Sequence, residues 1–86
     1  MNEKSQPQID FVTFVLSLAS SVQVHLGRVP NPETKATAKN LELARQTIDI
    51  LTMLGEKTKG NLTPEESQLM EHLLYDLRMQ YVEVSQ

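Results

Sequence analysis

The chain has no cysteine and no tryptophan, and very little glycine or aromatic side chain. Without cysteine there is no disulfide framework, no thiol nucleophile and no zinc ribbon. With two phenylalanines and two tyrosines as its only aromatics, the core has to be built from Leu, Ile, Val and Met. An excess of positive charge is missing too. The formal net charge is −3, which argues against a nucleic-acid partner, since such proteins carry a basic face. The apolar-leaning stretch of sixteen residues from Phe11 to Leu26 falls short of the roughly 20 that a membrane-spanning helix needs. What is present is one chain of 86 residues, near the lower limit at which a single core suffices.

The central stretch, Asn40 to Gly60, shows the clearest periodicity. At about 100° per residue, Leu43, Ala44, Thr47, Ile48, Ile50, Leu51 and Leu54 share one arc of about 160°. Such an arc is wider than one neighbouring helix covers, so this helix is expected to lie between two others. The charged side chains Glu42, Arg45, Asp49 and Glu56 form a ladder elsewhere on it, the pattern of a solvated face.

Met1 to Gln8 reads as a flexible tail, followed by one helical domain over residues 9–86. Asp10 is the expected N-cap of helix 1 and Gly27 its stop, and no formally charged residue lies between Phe11 and Leu26. Phe11, Phe14, Val15, Leu18, Val22 and Leu26 form its apolar face. Thr13, Ser17, Ser20 and Ser21 form a narrow strip of small side chains, which suits either a close helix contact or bonding to the helix's own carbonyls. A secretory signal is disfavoured because Glu3 and Asp10 offset Lys4, leaving no positive front.

Gly27 to Lys39 is a connector in which Pro30 and Pro32 bar a helix. It is longer than most links between helices. Its length suits a spacer that lets helix 1 cross the bundle or reach another subunit; a ligand-binding loop is the competing reading. Thr63-Pro64-Glu65-Glu66 is the strongest local signal, with a cap, a proline at the first helical position and an acceptor that closes a capping box. Helix 3 then runs to Val84, and the short link predicts an antiparallel hairpin with helix 2. It carries a core stripe, from Leu69 through Leu73 and Leu77 to Val84. A second stripe, Tyr75, Met79 and Val82 beside Arg78, points elsewhere and reads first as buried, as further core packed by helix 1 or against another subunit, with a partner surface for a different protein as the competing reading.

Catalytic chemistry is hard to find. His25 and His72 are the only histidines, and His25 at the end of helix 1 suits the helix dipole. His72 and Asp76 are one turn apart, but no second histidine stands at ligand spacing and the Glu-x-x-His pattern of di-iron bundles is absent. There is no glycine-rich phosphate loop and no serine with a partnered base. No catalytic, cofactor-binding or metal-binding residue is therefore assigned, and no cofactor is expected.

Four segments carry a family resemblance. They are Ile9-Asp10-Phe11-Val12-Thr13-Phe14-Val15-Leu16-Ser17-Leu18-Ala19, Asn40-Leu41-Glu42-Leu43-Ala44-Arg45-Gln46-Thr47-Ile48-Asp49, Glu56-Lys57-Thr58-Lys59-Gly60-Asn61-Leu62-Thr63 and Leu74-Tyr75-Asp76-Leu77-Arg78. Together they resemble a short, mostly bacterial domain-of-unknown-function family, the one numbered eighteen-forty-four. The resemblance implies a small cytosolic protein and carries over no activity and no site residues.

The expectation is an all-α protein of three helices, Asp10 to Leu26, Asn40 to Lys59 and Thr63 to Val84, that is not an enzyme. Its apolar surplus predicts a homodimer with Phe11, Phe14, Val15, Leu18 and Val22 in the shared interface, the rival being a monomeric bundle in which helix 1 lies deep between the others. It also predicts an accessory role with an unknown protein partner at Tyr75, Met79, Val82 and Arg78. Two other readings compete: a membrane-surface protein using helix 1, and a metal-binding or catalytic bundle using His72.

Overall fold

A computed structural model describes residues 10–86. The expected tail, Met1 to Gln8, lies outside the described residues. Three helices make up the fold, α1 (Phe11–His25), α2 (Leu41–Lys57) and α3 (Pro64–Ser85), with no strand among the described residues.

Each helix begins at a residue whose side chain answers a free amide. The Asp10 carboxylate accepts from the Thr13 amide at 2.8 Å, and the Asn40 side-chain oxygen accepts from the Leu43 amide at 3.1 Å. At α3 the box closes in both directions. The Glu66 amide donates to the Thr63 hydroxyl at 3.1 Å, and the Thr63 amide donates to the Glu66 carboxylate at 2.9 Å. Pro64 stands at the head of the helix, where an amide hydrogen would have no partner.

α1 ends in a paired reversal. The Gly27 amide donates to the Val24 carbonyl at 3.0 Å and the Arg28 amide to the Gln23 carbonyl at 3.1 Å. That pairing requires a left-handed residue between helix and loop, and Gly27 has φ +78°. The connector then folds on itself. The Asn31 side-chain oxygen accepts from the Glu33 amide at 2.7 Å, and the Asn31 amide donates to the Ala36 carbonyl at 2.9 Å. Its far end returns to its start, for the Asn40 amide donates to the His25 carbonyl at 2.7 Å. The segment is thus a closed surface loop that starts α2 beside the end of α1, not a spacer reaching away from the bundle.

All three helix pairs are in contact, the α1–α3 pair least, so α2 does lie between the other two. The core comprises Val15, Ala19, Val22 and Leu26 from α1, Ala44, Ile48 and Leu51 from α2, and Met70 and Leu77 from α3. The four α1 residues recur at i, i+4, i+7 and i+11, one straight stripe. Thr47 is buried among them with its hydroxyl donating to the Leu43 carbonyl at 2.9 Å. Where α2 meets α3, Gly55 faces the Met70 side chain, and a Cβ there would lie 3.4 Å from Met70 Cγ. Earlier in α2, Thr52 meets Arg78, later in α3.

The buried arc of α2 is narrower than its apolar residues suggest. Leu43 and Ile50, placed on the covered side by periodicity, are exposed. They sit at the edge of the arc, outside the reach of α1 and α3. The small side chains of α1 bond their own helix. The Ser17 hydroxyl donates to the Phe14 carbonyl at 2.7 Å and the Ser21 hydroxyl to the Ser17 carbonyl at 3.3 Å.

Candidate docking surface on the third helix

Leu77 and Met70 fix which way α3 faces, because both are buried against α1 and α2. Tyr75, Met79 and Val82 lie about 140–200° around the helix from Leu77, and so point away from the bundle. Their exposures, 66%, 48% and 50%, are large for side chains of this kind. With Glu71, Leu74 and Arg78 they line an open groove of about 330 Å³. A row of this length on one helix is wide enough to receive another helix, with anchors at i, i+4 and i+7.

Arg78 is held at the edge of this groove. One of its guanidinium nitrogens donates to the Thr52 hydroxyl at 2.7 Å, and that hydroxyl in turn donates to the Ile48 carbonyl at 3.0 Å. The bond fixes the direction of the side chain without neutralising it. Among the described residues the only ion pair is Arg28 with Glu83, at 2.8 Å, so Arg78 presents an uncompensated positive charge beside three apolar side chains. All four residues expected at the partner surface therefore line one groove. Glu71 and Thr52, which complete its chemistry, were not singled out by sequence. Glu71 has a visible signal in its seven-residue distance from Arg78, but Thr52 belongs to another helix and has none.

The five α1 residues expected at a subunit interface share one face of the helix, but not an exposed one. Val15 and Val22 have no exposed surface in the single chain, and Phe11 and Leu18 are half-buried against the same core. Phe14 alone is largely open, at 45%. The face read as interfacial is thus mostly the face that holds the bundle together. The same burial removes the apolar stripe on which a membrane-surface reading of helix 1 would depend, and no described helix is long and apolar enough to cross a membrane.

The titratable residues are spread out. His72 and Asp76 are both exposed on α3, and His25 is half-buried at the end of α1. Among the described residues no three His, Asp or Glu side chains are placed to hold a metal ion. Glu42, Arg45, Asp49 and Glu56 are all exposed on α2, as a solvated ladder requires. The Asp10 carboxyl is held below the usual carboxylate range. Hydrogen bonds from the Thr13 amide and the Thr13 hydroxyl lower its pKa from 3.8.

A family model described as Domain of unknown function (DUF1844) matches residues 8–83. The chain belongs to this family. The DUF1844 match takes in α1, α2 and all of α3 as far as Glu83, including every residue that lines the groove. No curated protein and no solved structure matches the chain.

Proposed function

We propose that this chain is a non-enzymatic interaction module that associates with itself through the outward face of α3. The observation that carries the reading is the groove. Tyr75, Met79 and Val82 stand about half or more in water on the side of α3 turned from the core, with the free charge of Arg78 beside them. Fully burying one such side chain is worth roughly 1.5–3 kcal/mol, so three left open on a domain of this size favour a covering partner. A second copy serves this need with a single patch, because in a two-fold dimer one surface meets itself. The family resemblance supports a cytosolic setting, and a protein partner of another kind would use the same groove.

Sedimentation equilibrium at micromolar concentration tests the proposal. The expected mass is that of two chains for the wild type and of one chain for Met79→Glu, with helical content unchanged because Met79 is outside the core. A wild-type mass of one chain at these concentrations would overturn it. A charge at Leu18 is a poorer probe, since Leu18 packs on the core and its substitution reports on folding.

A further inference from the structure

The second copy, we propose, binds antiparallel, α3 against the partner's α3, about a two-fold axis at Leu74 and Tyr75. This rests on the self-association reading above and adds its geometry and its specificity. The placement of two opposite charges carries it. Glu71 and Arg78 are both exposed and stand seven residues apart, two turns of the helix or about 10.5 Å. They also lie on the same edge of the apolar row, the edge turned toward α2. Arg78 bonds Thr52 there, and Glu71 borders the cleft that α3 forms with Gly55 and Glu56.

A two-fold axis perpendicular to a pair of helices turns one copy end for end and keeps a given edge on the same side. With the axis midway between residues 71 and 78, each Glu71 faces the partner's Arg78, and the contact occurs twice. Tyr75 then meets the partner's Tyr75 close to the axis, and Met79 and Val82 lie over the N-terminal half of the partner helix, opposite its positions 70 and 67. Arg78 is free to join, since in the single chain it bonds a neutral hydroxyl and, among the described residues, no carboxylate.

The parallel alternative is poorer on the same residues. A parallel two-fold brings opposite edges together, in the manner of interhelical pairs five residues apart. Glu71 then falls against the partner's Asp76, two like charges, on both sides of the dimer. Arg78 falls against the partner's Glu83, which already binds Arg28 at 2.8 Å in its own chain. Arg78 is also the only Lys or Arg in α3, against Glu65, Glu66, Glu71, Asp76 and Glu83. The antiparallel register therefore pairs this one cation twice with a carboxylate that is not already engaged, which the parallel one does not.

A charge-reversal cycle on the full chain, read by sedimentation equilibrium, tests the geometry. Glu71→Arg and Arg78→Glu should each raise the dimer dissociation constant about tenfold, and the double variant should return it to within about threefold of wild type. Far-UV circular dichroism verifies that each variant is folded. Arg78→Glu loses its bond to Thr52, whereas Glu71 bonds no side chain among the described residues, so Glu71→Arg remains informative if the other is unstable. A dimeric wild type whose association is unchanged by Glu71→Arg overturns the antiparallel register and leaves self-association standing. A double variant as weak as the singles overturns it equally. A wild type that sediments as one chain overturns self-association itself, and this geometry with it.

Discussion

The Asn40 amide donates a 2.7 Å hydrogen bond to the His25 carbonyl, joining the first residue before α2 to the last residue of α1. One bond thereby closes a loop of more than a dozen residues and lays the start of α2 against the end of α1. The same short distance brings Gly27 beside Lys39. The connector contributes to the bundle by returning to its origin, and its internal bonds at Asn31 keep it folded between the two ends.

Gly27, inside this loop, and Gly55, inside α2, should respond in opposite directions to a methyl group. Gly27 holds φ +78°, a conformation that costs an L-residue about 1–2 kcal/mol, so Gly27→Ala should destabilise by that amount. Gly55 lies inside α2, and its added Cβ would rest 3.4 Å from the flexible Met70 side chain, an ordinary contact. Gly55→Ala should therefore stabilise, by up to about 1 kcal/mol, from helix propensity alone. Urea unfolding of the three proteins separates the two outcomes.

Neighbouring residues on α2 should differ sharply. Leu51 has no exposed surface and touches the shared core, so Leu51→Ala should cost about 2–5 kcal/mol. Ile50 is exposed, and Ile50→Ala should cost less than about 1 kcal/mol. Equal losses by thermal or chemical denaturation would mean that Ile50 is covered in solution.

The capping box at α3 gives a third expectation. Thr63→Ala removes the acceptor for the Glu66 amide and should cost about 1 kcal/mol. A change indistinguishable from zero in chemical denaturation would show that the cap does not hold the helix start.

Acid should weaken the protein in part through Asp10. Its pKa is lower in the folded chain than the ordinary 3.8, because the Thr13 amide and hydroxyl bond the carboxylate. The unfolded chain takes up the proton first on acidification. The contribution is therefore complete above the unfolded value and is lost as pH falls through the folded one. Asp10→Asn keeps a capping acceptor but removes the charge, so its stability should change less between neutral pH and pH about 3 than that of the wild type. Thermal melts at the two pH values check this.

How much of this was legible in the sequence depends on the range of the interactions involved. Asp10, Thr63, Pro64 and Gly27 act within a few residues of chain, so the helix starts and the first stop could be read directly, and with them the all-α class. The stripe of Tyr75, Met79 and Val82 was legible as a second face because spacing around one helix needs no partner. How much of each apolar face is covered, and by what, was decided only by tertiary structure. Val15 and Val22 vanish into a single chain's core, while Leu43 and Ile50, just as apolar, stay in water. Hydropathy is a property of the side chain, but burial depends on where the neighbouring helices pass, and that path is set by contacts between residues far apart in the chain. Arg78 shows the limit most plainly. Its partner Thr52 lies 26 residues away on another helix, and only the packing of α2 against α3 brings hydroxyl and guanidinium within 2.7 Å.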